Sequence, residues 1–416
     1  MKRLLFLPII IMYIGLMAQD TIYYKANLEV NANVKLPLVL YIVNNSEQII
    51  FLSSPSQSAE LFKASKKKIT KDSVKANFDM LSIKLRLKYE NETEILQGSF
   101  RQGLLNKQIT FKRTNEAYKL NRPQTPKPPF NYNIEEVSFH NPNSPYKFHG
   151  TLTYPKQNKK YPLVVLVSGS GCQNRDEEIF QHKPFMVIAD YLTKQGFAVM
   201  RYDDRGYGEK DTNLYRGTTA DFMQDCISAI EMLKKKIQID SAQIFILGHS
   251  EGGAIAQMIA ANNEKIKGII LMAAPMISGK DILSTQTKRI MQLQNASEKD
   301  IQQAISDINK VEFDTNSING LWLNYFYKMN PKQYLKKIKC DVLVLQGEND
   351  VQVLADENIK VAKKILKHAT IKRYNDLNHL FQHSKTGAVS EYAEIDETIS
   401  EEVLQDIGSW LSKHTY

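Results

Sequence analysis

Ile244-Phe245-Ile246-Leu247-Gly248-His249-Ser250-Glu251-Gly252-Gly253 joins a β-prone apolar run to a Gly-x-Ser-x-Gly and passes directly into the helix former Ala254-Ile255-Ala256-Gln257-Met258-Ile259-Ala260-Ala261. A serine on a sharp strand-to-helix turn needs small neighbours, because the turn is strained and other backbone comes close. Gly248 and Gly252 supply them. The pattern predicts a nucleophile elbow that lifts the Ser250 hydroxyl above a sheet. It also aims the backbone N–H of Glu251, at a helix start, where an oxyanion would form.

Around this stretch, strands alternate with helices. Strands are expected near 135–139, 149–154, 163–167, 198–202, 243–247, 268–272, 341–345 and 370–374, and helices near 183–195, 219–237, 251–262, 357–367 and 399–413. Such alternation predicts an α/β fold: a mostly parallel sheet with helices on both faces and ligands at the carboxyl ends of its strands. One interval, about 276–339, breaks the rhythm with polar amphipathic stretches and the aromatics Trp322, Tyr325, Phe326 and Tyr327. It reads as a helical cap whose aromatics either line a pocket or pack the cap onto the body.

A serine hydroxyl attacks only when a base takes its proton and a third group holds that base in the right tautomer. Downstream, Asp350 follows the buried run Val342-Leu343-Val344-Leu345, and His379 follows the last strand, giving the chain order serine, acid, histidine. Glu348 is the rival acid and His383 the rival base; His249, next to the serine on a tight turn, is read as supporting the elbow. Ser168-Gly169-Ser170-Gly171-Cys172 leaves the 163–167 strand and is small enough for backbone to reach a substrate oxygen. This makes the N–H of Ser170 the expected second oxyanion donor. Cys172 would then lie near the site, where thiol reagents would inhibit.

Residues 20–120 read as a small all-β domain, a meander closed into a barrel or sandwich. The proline-rich run 121–133 reads as a linker, leaving 134–416 as the second domain. Lys2, Arg3 and an apolar stretch over 4–16 predict a signal peptide over 1–19 and therefore export to a periplasmic or extracellular compartment. That stretch is shorter than the ~20 residues a membrane span needs, so no stable span is expected after its removal. Cys172, Cys226 and Cys340 are too few and too scattered for a disulfide framework, and Cys226 suits a buried helix face.

The net charge of +9 comes from short lysine clusters without interleaved stacking aromatics, which disfavours nucleic acid as a partner. There is no metal-ligand spacing, phosphate loop or dinucleotide fingerprint, so no metal or cofactor is expected.

Taken together, Gly248-His249-Ser250-Glu251-Gly252, the 347–353 loop and His379-Leu380-Phe381-Gln382 resemble the serine α/β-hydrolases. So do Ser168 through Glu177 and Arg201-Tyr202-Asp203-Asp204-Arg205-Gly206-Tyr207-Gly208. The likeness is in particular to exported bacterial esterases and serine aminopeptidase-like relatives with an N-terminal β-rich module. It implies an α/β-hydrolase fold with Ser250 as nucleophile, Asp350 as acid, His379 as base, and Glu251 and Ser170 as oxyanion donors. Ser168 and Cys172 depart from the pattern, standing where histidine and proline are expected. Arg175, Asp176, Asp204 and Arg205 match it and are read as a structural charge network.

The implied activity is hydrolysis of a small-molecule carboxylic ester through an acyl-enzyme. An aminopeptidase of the same fold is the alternative, with Asp281, Glu298, Asp307, Glu312 and Asp314 in the cap available to receive a substrate amine. A non-catalytic binding protein is the third reading. The sequence gives no indication of oligomeric state.

Overall fold

A computed structural model describes residues 21–415 apart from 32–33, 45–47, 56–60, 91–93, 104, 116–119, 209–216, 264 and 318. The expected signal peptide lies outside the described residues.

In the first half, strict alternation dictates strands with one buried face. Along Ile-Lys-Leu-Arg-Leu-Lys at 83–88, Ile83, Leu85 and Leu87 are buried while Lys84, Arg86 and Lys88 are exposed. Among the described residues nine strands form one antiparallel sheet: β1 (Thr21–Asn31), β2 (Val34–Val43), β3 (Ile49–Ser53), β4 (Phe62–Lys63), β5 (Lys66–Ile69), β6 (Ser73–Phe78), β7 (Ile83–Glu90), β8 (Ile95–Gln102) and β9 (Leu105–Thr114). Their order is β4-β3-β2-β1-β9-β8-β7-β6-β5. The sheet curls into a half-barrel around Tyr24, Leu40, Ile50, Leu52, Leu85 and Phe111.

Among the described residues, neither a sandwich nor a barrel closed by full-length pairing forms. The two outermost strands are successive pieces of one short segment, which bends at 64–65. There the Ala64 N–H donates to Ile50 O and the Ser65 N–H to Asn77 O. Pieces of two and four residues leave little ladder on either side of the bend.

The second sheet contains β10 (Asn133–His140), β11 (Lys147–Tyr154), β12 (Tyr161–Val167), β13 (Ala198–Tyr202), β14 (Ile239–His249), β15 (Gly268–Met272), β16 (Asp341–Gly347) and β17 (Thr370–Tyr374). The order is β10-β11-β13-β12-β14-β15-β16-β17, antiparallel through β11 and parallel from β13 onward.

Its central strands are apolar on both faces because helices cover both. Leu163, Val165, Ile244 and Ile246 pack toward α2 (Thr219–Leu233), α3 (Glu251–Asn262) and α8 (Ala355–Ile365). Val164, Leu166, Phe245 and Leu247 pack toward α1 (Pro184–Lys194) and α9 (Glu401–His414). Register sets the strand ends level, pairing Val167 with Gly248, His249 with Met272, Met272 with Leu345 and Gly347 with Tyr374. The loops after β12, β14, β16 and β17 therefore open at one edge.

Between β15 and β16 lie α4 (Gly279–Leu293), α5 (Glu298–Asn309), α6 (Gly320–Lys328) and the short α7 (Lys332–Leu335). The first two begin at serine caps, Ser278 accepting from the Asp281 N–H and Ser297 from the Asp300 N–H. Ile282, Phe326 and Met329 of this cap pack on Ala254 and Met258 of α3.

The proline-rich run is docked on the second domain. Buried Arg122 donates to the carbonyls of Phe180, Ala393 and Ile395, and Gln124 accepts from the Thr398 and Ile399 N–H groups. Proline spacing shows that this stretch is extended; it does not show which carbonyls a neighbouring arginine will reach.

Candidate active site

At the end of β14 the chain must reverse into α3 within one residue. Ser250 does so with φ 53° and ψ −120°, a conformation costly for any residue with a Cβ. Its N–H donates to Met272 O at 2.8 Å, which fixes the turn to the neighbouring strand. The elbow also needs a bare backbone at Gly252, where a Cβ would stand 2.1 Å from Val167 O and 2.6 Å from Ser168 O.

Asp350 lies in the loop after β16 and His379 in the loop after β17. The Asp350 Oδ2 meets His379 Nδ1 at 2.8 Å and accepts from Gln346 Nε2 at 3.0 Å. Its Oδ1 accepts the N–H groups of Gln352 and Val353 at 2.8 and 2.9 Å. The carboxylate is thus buried with both oxygens occupied, and it dictates the His379 tautomer that leaves Nε2 free to act as a base. Asn378 ties down the histidine loop by accepting from the Leu380 and Gln382 N–H groups. Among the described residues no hydrogen bond joins Ser250 Oγ to His379; such nucleophile–base contacts are often long before substrate binds.

The rival residues face elsewhere. Glu348 pairs with Arg373, and His383 is exposed and pairs with Glu397.

Among the described hydrogen bonds, neither the Ser170 nor the Glu251 backbone N–H has a protein acceptor, so both are available to an oxygen. The loop carrying Ser170 is fastened at both ends of its turn. The Ser168 hydroxyl donates to Asp204 at 2.7 Å, the Gln173 N–H to the same carboxylate at 2.8 Å, and the Gly169 N–H to Glu177 Oε1 at 2.7 Å. Ser168 thus anchors the loop without a histidine.

Burial holds the Asp204 carboxyl well above the usual carboxylate range, against the lowering pull of Ser168 and Gln173. Arg175 pairs with Asp203, Arg201 with Asp176, and Arg205 with Asp225, forming the charge network beneath. Cys172 is no reactive thiolate. Its thiol points to Arg205 O, and burial, with Asp204 and Asp203 nearby, pushes its titration far upward.

Two side-chain roles at the site, those of Glu251 and Glu177, escaped sequence reasoning. Glu251 is buried, and its carboxylate accepts from Thr219 Oγ1 at 2.6 Å and from Trp322 Nε1 at 2.8 Å. Burial raises its titration, opposed by the hydrogen bonds from Thr219, Trp322 and the Ser170 hydroxyl. Trp322, one of the expected cap aromatics, thus ties the cap to the elbow through this carboxylate. Glu177 meets His249, and no sequence signal links two residues so far apart.

Residues 182–385 match the family described as serine aminopeptidase, S33. Esterase EstD of Thermotoga maritima is 27% identical over 274 residues, covering 64% of this chain and 65% of EstD, so the chain spans just under two thirds of that relative. Dipeptidyl-peptidase 5 of Porphyromonas gingivalis is 23% identical over 205 residues, covering 48% of this chain and 27% of that one. Among solved structures, Est1E from Butyrivibrio proteoclasticus aligns with a TM-score of 0.47 at 15% identity, covering 67% of this chain and 98% of Est1E. With the strand order, the elbow and the histidine–aspartate pair already described, the second half of the chain has the α/β-hydrolase fold, and its residues 182–385 match a serine hydrolase family of that fold.

Proposed function

We propose that this chain is a carboxylic ester hydrolase working through an acyl-enzyme on a small-molecule ester. Ser250 Oγ attacks the ester carbonyl while His379 Nε2 takes its proton, and Asp350 stabilises the imidazolium that forms. The N–H groups of Glu251 and Ser170 hold the oxygen that becomes negative. Collapse expels the alcohol, which leaves with the proton from His379; water then repeats the sequence on the acyl-serine and frees the acid. The observation that carries the reading is the buried 2.8 Å bond from His379 Nδ1 to Asp350, at the same sheet edge as the strained Ser250. The likeness to EstD supports ester over peptide chemistry.

The serine aminopeptidase description of the matching family supports the second reading, release of an N-terminal amino acid. Comparing aryl esters with aminoacyl anilides separates the two. The proposal expects ester turnover that Ser250→Ala abolishes; amine release from the anilide without ester turnover would favour the peptidase. The proposal includes export, on the strength of Lys2, Arg3 and the apolar stretch after them. Amino-terminal sequencing of protein recovered outside the cytoplasm tests it.

A further inference from the structure

We propose that His249 and Glu177 form a second histidine–carboxylate pair, charged in the active enzyme, that positions both the oxyanion loop and the catalytic histidine loop; this role rests on the esterolytic reading. Both ring nitrogens of His249 face acceptors. Nδ1 lies 2.9 Å from Glu177 Oε1, and Nε2 lies 2.9 Å from the backbone carbonyl of His379. A neutral imidazole has one N–H, so it can satisfy only one of these partners, whereas the imidazolium satisfies both.

Glu177 Oε1 also accepts the Gly169 N–H at 2.7 Å, so one carboxylate oxygen holds both the His249 ring and the oxyanion loop. Glu177 and His249 are both buried, and Glu177 holds a φ of 52°, a strain that persists only where the surroundings fix it.

The pair sits at the junction of the machinery. At Gly169 a Cβ would stand 3.1 Å from Ser250 Cβ, 3.4 Å from Glu177 Oε1 and 3.6 Å from His249 Nδ1. The His249 and His379 rings lie 4.7 Å apart. One proton on His249 therefore ties the residue before Ser170, the residue before the nucleophile and the backbone of the base into a single cluster.

The charged and titratable groups facing His249 are Glu177 from the loop after β12, and His379 and Asp350 from the loops after β17 and β16. Burial lowers its affinity for the proton, but Glu177, the His379 carbonyl and Asp350 together raise it above the ordinary histidine value. Loss of the proton as pH rises would set a ring lone pair against one of the two oxygens. The cluster would then loosen and turnover would fall on the alkaline side.

The test combines the imidazole N–H signals of 15N-histidine-labelled full-length protein with pH profiles of aryl-ester turnover in Glu177→Gln and Glu177→Asp. Two ring N–H signals for His249 are expected across the plateau of activity, with one of them lost along the alkaline limb. In Glu177→Gln one signal is lost, kcat falls about 10- to 100-fold with little change in KM, the scale of a displaced positioning group, and the alkaline limb moves to lower pH. Glu177→Asp restores part of both.

A single His249 ring N–H in the wild type across that plateau overturns the proposal whether or not any variant folds. So does an alkaline limb unmoved in Glu177→Gln despite a lower melting temperature, the pattern of a purely structural role. If the wild type turns over no ester, the esterolytic reading fails, while the N–H signals still report the pair.

Discussion

Replacing Gly252 with alanine tests the geometry that joins the elbow to the oxyanion loop. The new methyl would lie 2.1 Å from Val167 O, about 1.3 Å inside the 3.4 Å where ordinary contact begins. The obstacles are backbone atoms of Val167 and Ser168, which no rotamer change can move. The end of β12 must retreat or the elbow must rise. Either motion displaces the Ser170 N–H relative to Ser250, and a shift near 1 Å at a reacting centre costs on the order of 10²-fold in rate.

We expect kcat for an aryl ester to fall about 10²- to 10³-fold with KM little changed, because the donors bind the transition-state oxygen more strongly than the ground-state carbonyl. The overpacking should also lower stability by about 1–3 kcal/mol. Steady-state kinetics with a thermal melt measures both. An alanine variant within threefold of wild-type kcat would refute the claim that this close approach sets the oxyanion geometry.

Asp350→Asn should lower kcat about 10³- to 10⁴-fold by permitting the wrong histidine tautomer, while Glu348→Gln and His383→Ala stay within roughly threefold of wild type in the same assay. Trp322→Phe removes a donor from a buried carboxylate whose titration is already raised, costing about 1–3 kcal/mol. Because a raised acid favours the fold when protonated, native stability from Glu251 declines as pH rises above its ordinary value. The variant's deficit should therefore be larger at pH 8 than at pH 5 in thermal melts; an equal deficit would contradict the assignment. Arg122→Ala strands the buried carbonyls of Phe180 and Ala393 and the half-buried one of Ile395, and should cost about 2–4 kcal/mol and speed limited proteolysis within 121–133.

The α/β half was legible because its signals are local. The apolar runs of β12, β14, β15 and β16 are buried on both faces, and the helices between them carry 3.6-residue patterns. The elbow is a contiguous motif, and Asp350 and His379 each follow a recognisable strand. What stayed hidden depends on pairs distant in sequence. Arg122 reaches Ala393, Trp322 reaches Glu251, and Glu177 reaches His249, and none has a spacing that announces its partner. The edges of the first sheet were hidden for a different reason: Phe62–Lys63 and Lys66–Ile69 are too short to show a period of two.

The central claim, that Ser250 is a nucleophile activated by His379 and Asp350, is tested most directly by labelling the folded protein with a fluorophosphonate and locating the adduct by mass spectrometry. The account predicts an adduct on Ser250 that forms in the wild type and fails to form in His379→Ala. An unlabelled Ser250 in folded wild-type protein, or labelling unchanged by His379→Ala, would contradict it.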